Sequence, residues 1–195
     1  MILDRKRKLI VILNSRTGST SLSKMFHDSA IESELDFGKD NQHWNWCLKR
    51  VLIEAPDIKK EVMAGKYRIF SFYREPIERF LSGMGHHYRM VPDLMRENMT
   101  IEEYDIAVGF FAPQYHFLHM EGVEIEWFRF DDYVNEVIRL AAIFGLDITE
   151  KDVPWRNEAL RIIPRESLTA EEITTVKDFY KMDYDLFASK GITFK

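Results

Sequence analysis

Asn14-Ser15-Arg16-Thr17-Gly18-Ser19-Thr20-Ser21-Leu22 gathers in one short stretch the groups that hold an oxyanion. Gly18 lets a ligand come close to the backbone. The hydroxyls of Thr17, Ser19, Thr20 and Ser21 are hydrogen-bond donors, and Arg16 brings a fixed charge whose fork matches phosphate and sulfate oxygens. A plain loop ending in a Ser/Thr helix cap is the competing account, but it needs neither the arginine nor so many hydroxyls. The loop Gly-x-x-x-x-Gly-Lys-Ser/Thr is missing, since no Gly-Lys-Ser or Gly-Lys-Thr occurs, and ATP or GTP hydrolysis loses its main support. Arg74 and Ser82 form a second candidate pair. They stand eight residues apart, about two helical turns, and are spaced to grip one phosphate. The competing account there is that Arg74 and Arg79 pair with Glu75 and Glu78 on a solvated face.

Both clusters need a strand that hands over to a helix. Leu9 to Leu13 is a continuous apolar run rich in β-branched residues and reads as a buried strand of a parallel sheet. Behind it, Leu22, Met25 and Phe26 share one face of a helix over Ser19 to His27. At such a helix start the backbone N–H groups favour an anion. Tyr67 to Tyr73 reads as a second core strand, and Arg74-Glu75-Pro76 opens a helix with Ile77, Phe80, Leu81 and Met84 inward. Residues 32–42 read as an exposed loop and residues 43–54 as a helix. A strand over Val123 to Phe130 leads to a helix capped by Asp131, carried by Tyr133, Val137, Leu140, Ala141 and Phe144, and ended by Gly145. Thr169 and Glu172 have capping-box spacing ahead of Ile173, Val176 and Tyr180. Strands alternating with helices imply an α/β fold with a central, mainly parallel sheet flanked by helices. No repeat or linker interrupts it, so one P-loop-like domain is expected over residues 1–195.

Taken together, Ser15-Arg16-Thr17-Gly18-Ser19-Thr20-Ser21-Leu22 and Phe72-Tyr73-Arg74-Glu75-Pro76-Ile77-Glu78-Arg79-Phe80-Leu81-Ser82 resemble the two signatures with which sulfotransferases bind 3′-phosphoadenosine 5′-phosphosulfate (PAPS). The resemblance implies the sulfotransferase fold and transfer of a sulfuryl group from PAPS to a hydroxyl of a carbohydrate or small molecule, leaving 3′-phosphoadenosine 5′-phosphate (PAP). It assigns Arg16, Thr17, Gly18, Ser19, Thr20 and Ser21 to the 5′-phosphosulfate, and Arg74 and Ser82 to the 3′-phosphate. Pro113-Gln114-Tyr115-His116-Phe117-Leu118 is similar to a segment of the carbohydrate-modifying branch. Phe128 to Tyr133, and Asn157 with Tyr180, Asp183, Tyr184 and Phe187, resemble later parts of that branch. Many soluble members carry lysine where this chain has Arg16. Golgi relatives carry a membrane anchor and disulfide cysteines, and this sequence shows neither.

Sulfuryl transfer needs in-line geometry, stabilised oxyanions and an activated nucleophile, and no metal is required. Arg16 fits the electrostatic part. A histidine fits the general base near neutral pH. The resemblance favours His43, which lies between the two signatures; His116 and the carboxylates Glu34 and Asp36 are the alternatives, and the pair His86-His87, just past Ser82, is read as lining the pocket. Trp44, Trp46, Phe72 and Tyr73 are candidates to stack on adenine or a sugar, or else belong to the core. Arg156, Arg161 and Arg165 form a basic cluster that either closes over the 3′-phosphate or faces solvent. A module that binds PAP, PAPS or a sulfated ligand without catalysis is the alternative outside enzymes, and a P-loop-like kinase the weaker one within them.

The composition sets the bounds. With 46% hydrophobic and 30% charged residues the chain can bury a substantial core. Its 27 lysines and arginines against 32 aspartates and glutamates give a net charge of −5, so no global positive field draws it to nucleic acid or an anionic membrane. Cys47 is the sole cysteine, which excludes an internal disulfide. The apolar run behind Arg5-Lys6-Arg7-Lys8 spans five residues, too few for a signal-peptide core or a membrane span, and the expectation is a cytoplasmic protein.

Overall fold

Two short apolar runs at the amino terminus fold back on each other. β1 (Ile2–Asp4) and β2 (Leu9–Ile12) pair antiparallel, with Ile2 opposite Val11 and Asp4 opposite Leu9. Every residue of both strands is buried, Asp4 included. A carboxylate is tolerated there because it accepts both the Arg7 backbone N–H and the Arg7 Nη1, each at 2.8 Å. The basic run therefore forms a turn, closed by Lys8 at a φ of 59°. Its cations pair with Asp57, Glu34 and Glu61. The computed structural model describes residues 1–36, 55–97, 111–154 and 163–194, with side chains in the 76–97 helix described as far as His86.

After β2 come α1 (Ser19–His27), a 3-10 turn at Glu32–Glu34 and the edge strand β3 (Leu35–Asp36). The expected loop over 32–42 thus begins as structure, and its remainder lies outside the described residues. α2 (Pro56–Met63) starts on a proline, which has no N–H to satisfy in a first turn, and leads to β4 (Arg68–Tyr73). Then follow α3 (Pro76–Glu97), the single turn α4 (Tyr115–Leu118), β5 (Glu126–Arg129) and α5 (Tyr133–Ile143). α6 (Ala170–Phe179) and α7 (Lys181–Ser189) end the series. The strand order is β3-β1-β2-β4-β5. β2, β4 and β5 run parallel, with Ile12 beside Ser71 and Tyr73 beside Arg129, whereas β1 lies antiparallel to both β2 and β3. The protein is α/β with an open, mixed sheet whose parallel part is the half that follows the expected strand-helix alternation.

The chain forms two compact units, one of Met1–Tyr73 with Phe117–Asn157 and one of Arg74–His116 with Glu158–Lys195. The first holds the sheet. Its buried residues include Phe70, Phe72 and Phe128 of the sheet, Leu22 and Phe26 of α1, and Val137, Leu140, Ala141 and Phe144 around α5. Each of the larger of these side chains, the valine, leucines and phenylalanines, contributes about 1.5–3 kcal/mol on burial. Phe26 meets Phe144 edge-on, with centroids 4.7 Å apart. α5 does not start on Asp131 as its sequence promises: a 3-10 turn, Phe130–Asp132, comes first and the helix begins at Tyr133. It does end as expected, at Gly145 with a φ of 78°. In the second unit Ile77 and Leu81 of α3 pack on Val176 and Tyr180. Thr169 and Glu172 form the expected capping box of α6. No described helix is long and apolar enough to cross a membrane.

Candidate functional site

The first motif lies where β2 passes into α1. Arg16 has a φ of 64° and Gly18 a φ of 77°, so two residues of this turn sit in the left-handed region. For Arg16 this is a strained conformation of the sort found where a loop is shaped for a ligand. Turns that mix left- and right-handed residues aim successive N–H groups into one concavity. The Thr17 hydroxyl donates to the Asn14 carbonyl at 2.8 Å and ties the turn to itself. The first intrahelical bond of α1 runs from the Leu22 N–H to the Gly18 carbonyl at 3.0 Å. The N–H groups of Ser19, Thr20 and Ser21 therefore precede the helical ladder, at the positive end of the helix dipole. No acidic residue stands in this first turn.

Gly18 is required here for a second reason. A Cβ at this position would stand 2.4 Å from the Tyr133 ring, and the Tyr133 hydroxyl donates to the Gly18 carbonyl at 3.0 Å. Tyr133 also shares a hydrogen bond with Ser21, while burial raises its own pKa. The first residue of α5 thus braces the loop, a role its sequence position did not reveal. Of the hydroxyls expected to meet the ligand, those of Thr17 and Ser21 help hold the loop, Ser19 is buried, and Thr20 is exposed.

The second motif follows β4. Glu75 caps α3: its side chain accepts the Glu78 N–H at 2.7 Å, its carbonyl accepts the Arg79 N–H at 2.9 Å, and Pro76 takes the first helical position. The Tyr184 hydroxyl donates to Glu75 at 2.5 Å, and Arg165 lies 3.6 Å from Glu75 and 4.0 Å from Glu78. Burial, and then this bond to Glu75, raises the pKa of Tyr184. Arg79 does not pair on a solvated face. It is wholly buried, and its pKa is lowered by burial against the pull of Tyr180 and Asp183. Arg165 is a cation beside Glu75 and Glu78, so of the basic cluster 156, 161 and 165 this member braces α3. Arg156 and Arg161 lie outside the described residues. Arg74 and Ser82 are both half-buried. Gly83, next to Ser82, packs so tightly that a Cβ would come 2.7 Å from the Phe111 ring.

Within this unit Gln114 reads the Arg74 main chain. Its Oε1 accepts the Arg74 N–H at 3.2 Å and its Nε2 donates to the Arg74 carbonyl at 2.8 Å. Asp183, wholly buried, accepts the Gln114 N–H at 2.9 Å on one oxygen and the Tyr115 N–H at 2.7 Å on the other. Burial pushes the Asp183 carboxyl above its usual range, and those two N–H groups and Arg79 oppose the shift. The Tyr180 hydroxyl donates to the Phe111 carbonyl at 2.8 Å.

The chain matches no protein-family model, no curated protein and no solved structure. Its site is therefore read from its own residues. His43, the expected base, lies outside the described residues, as do Trp44, Trp46 and Asn157. His116 is exposed on α4 and His86 half-buried on α3, and the side chain of His87 lies outside the described residues. Glu34 is held below its ordinary pKa by hydrogen bonds from Arg7 and Lys6, which weakens it as a base. Asp36 lies on β3, two strands from β2. Phe72 packs on Phe128 and Tyr133, with centroids 5.5 and 5.4 Å away, and is core rather than a stacking platform. Tyr73 is buried edge-on against Trp127, with centroids 6.3 Å apart.

Proposed function

We propose that the protein is a PAPS-dependent sulfotransferase acting on a hydroxyl of a carbohydrate or small molecule. One observation carries this reading: β2 and β4 are parallel neighbours, and each motif starts where one of these strands ends. The β2 loop fits a 5′-phosphosulfate in its donor set: an arginine, a helix start with N–H groups ahead of the ladder, a left-handed glycine and no acidic residue. Arg74 and Ser82, in the motif behind β4, are the proposed partners of the 3′-phosphate.

PAPS when bound supplies the activated sulfuryl group, and PAP is the product that remains. Arg16 stabilises the negative charge that grows on the oxygens around the breaking bond. A guanidinium does so as a fixed charge and not as a proton donor. The N–H groups of Ser19, Thr20 and Ser21 hold the 5′ oxyanion in place. His43 takes the proton of the acceptor hydroxyl, and its neutral form must dominate for that step.

Calorimetry with PAP, followed by transfer of labelled sulfate from PAPS to a panel of hydroxylated acceptors, tests the reading. PAP binding with transfer is expected. Binding without transfer to any acceptor makes the protein a binding module, and absence of PAP binding overturns the reading. Arg16→Ala is expected to lower turnover by about 10²–10³-fold with the fold intact. His43→Ala is expected to remove the acidic limb of the pH–rate profile, and a retained limb would move the base elsewhere.

A further inference from the structure

The main-chain grip on Arg74 is more than the closing of a loop. Arg74 follows the last residue of β4 and precedes the cap of α3, so its N–H and carbonyl belong to neither the ladder of the sheet nor the interior of the helix. Such groups need partners of their own. A primary amide offers one acceptor and one donor side by side, and Gln114 uses both on this single residue, at 3.2 and 2.8 Å. Gln114 is itself immobilised. It is wholly buried, its N–H is held by Asp183, and the other oxygen of Asp183 holds the next residue, Tyr115. Asp183 comes from α7, so a helix near the carboxyl end of the chain fixes, through one glutamine, the residue at the elbow behind β4.

We propose that Gln114, held by Asp183, is a positioning residue that sets the main chain of Arg74 and thereby aims its guanidinium at the 3′-phosphate of the nucleotide. The inference rests on the sulfotransferase reading above. A guanidinium pairs with phosphate through a planar fork, so its strength depends on the direction from which it arrives. Fixing N–H and carbonyl together fixes the Cα–Cβ direction of Arg74. A glutamine that served packing alone would affect stability without selecting among ligands.

The test compares PAP with 5′-AMP, which lacks the 3′-phosphate, by calorimetry on the full chain. Wild type is expected to prefer PAP. Gln114→Met keeps the volume and removes both hydrogen-bonding groups. It is expected to lower PAP affinity roughly ten- to hundredfold, the loss of charge-assisted bonds, while 5′-AMP affinity is retained. Added to Arg74→Ala it is expected to cost nothing further, because the two changes remove one interaction. Should Gln114→Met not fold, Gln114→Glu serves: it keeps the acceptor for the Arg74 N–H and replaces the donor facing the Arg74 carbonyl. Equal loss of both nucleotides, or an undiminished preference for PAP in the variant, overturns the inference and leaves the sulfotransferase reading standing. A wild type that binds both nucleotides without preferring PAP overturns the assignment of Arg74 to a 3′-phosphate and this inference with it, and one that binds neither overturns the sulfotransferase reading as well.

Discussion

Gly18 meets two demands at once, a left-handed backbone and the absence of a Cβ where the Tyr133 ring lies. Gly18→Ala therefore strains the turn and forces the ring away, at a cost of about 2–4 kcal/mol in urea unfolding. Tyr133→Phe keeps the ring and removes the bond to the Gly18 carbonyl, so about 1 kcal/mol is expected. If the two costs came out equal, ring contact would not be what demands a glycine. Asp183→Ala, which removes the carboxylate facing buried Arg79, should destabilise by about 3–5 kcal/mol. These residues also mark what a sequence can show. Arg16, Gly18 and Arg74 stand out because their chemistry is local: a charge, a missing side chain and hydroxyls within a few positions. Gln114 and Asp183 stand 69 residues apart, and their bond depends on how α7 packs, which no spacing encodes. Arg79 looked like one more charge in a charged segment, and its burial follows from partners far along the chain.

The long apolar elements were legible for the same reason of locality. β2, β4, α1 and α5 each carry their own pattern, whether a β-branched run or apolar residues at helical spacing. β1 was hidden because it has three residues and ends in a buried aspartate that reads as polar surface until Arg7 is seen to pair with it. β3, with two residues, has no pattern at all, and with these two strands missing the sheet looked more parallel than it is. The capping box of α6 was readable, and it makes a sharp claim. The Thr169 hydroxyl accepts the Glu172 N–H at 3.2 Å, so Thr169→Ala should destabilise by about 1 kcal/mol. A smaller change would mean that the packing of Val176 and Tyr180 on α3 holds this helix unaided.

The charge pattern sets how the folded chain responds to acid. Glu34, Asp57, Glu61, Glu126, Asp152 and Glu172 all have pKa values lowered by hydrogen bonds, with Lys6 and Arg7, Arg5, Lys8, Arg68 and Thr149 among the donors. A lowered folded value contributes stability above the unfolded pKa, near 4, and loses it as pH falls through the folded one. Asp183 has the opposite sign. Its raised value contributes below the unfolded pKa and is lost as pH rises through the folded one. Six described carboxylates stand against one, so the melting temperature should fall as pH drops from about 5 to about 2.5. A melting temperature that rose over that window would mean that Asp183 dominates. The division of the chain has its own consequence. All five described strands and both sequence motifs precede Glu158, yet the unit containing Arg74 resumes at that residue and draws Tyr180, Asp183 and Tyr184 from beyond it. An expression boundary drawn around the signatures alone would keep every recognisable word of the protein while deleting the grammar that orders one of them, and its product should aggregate or be degraded.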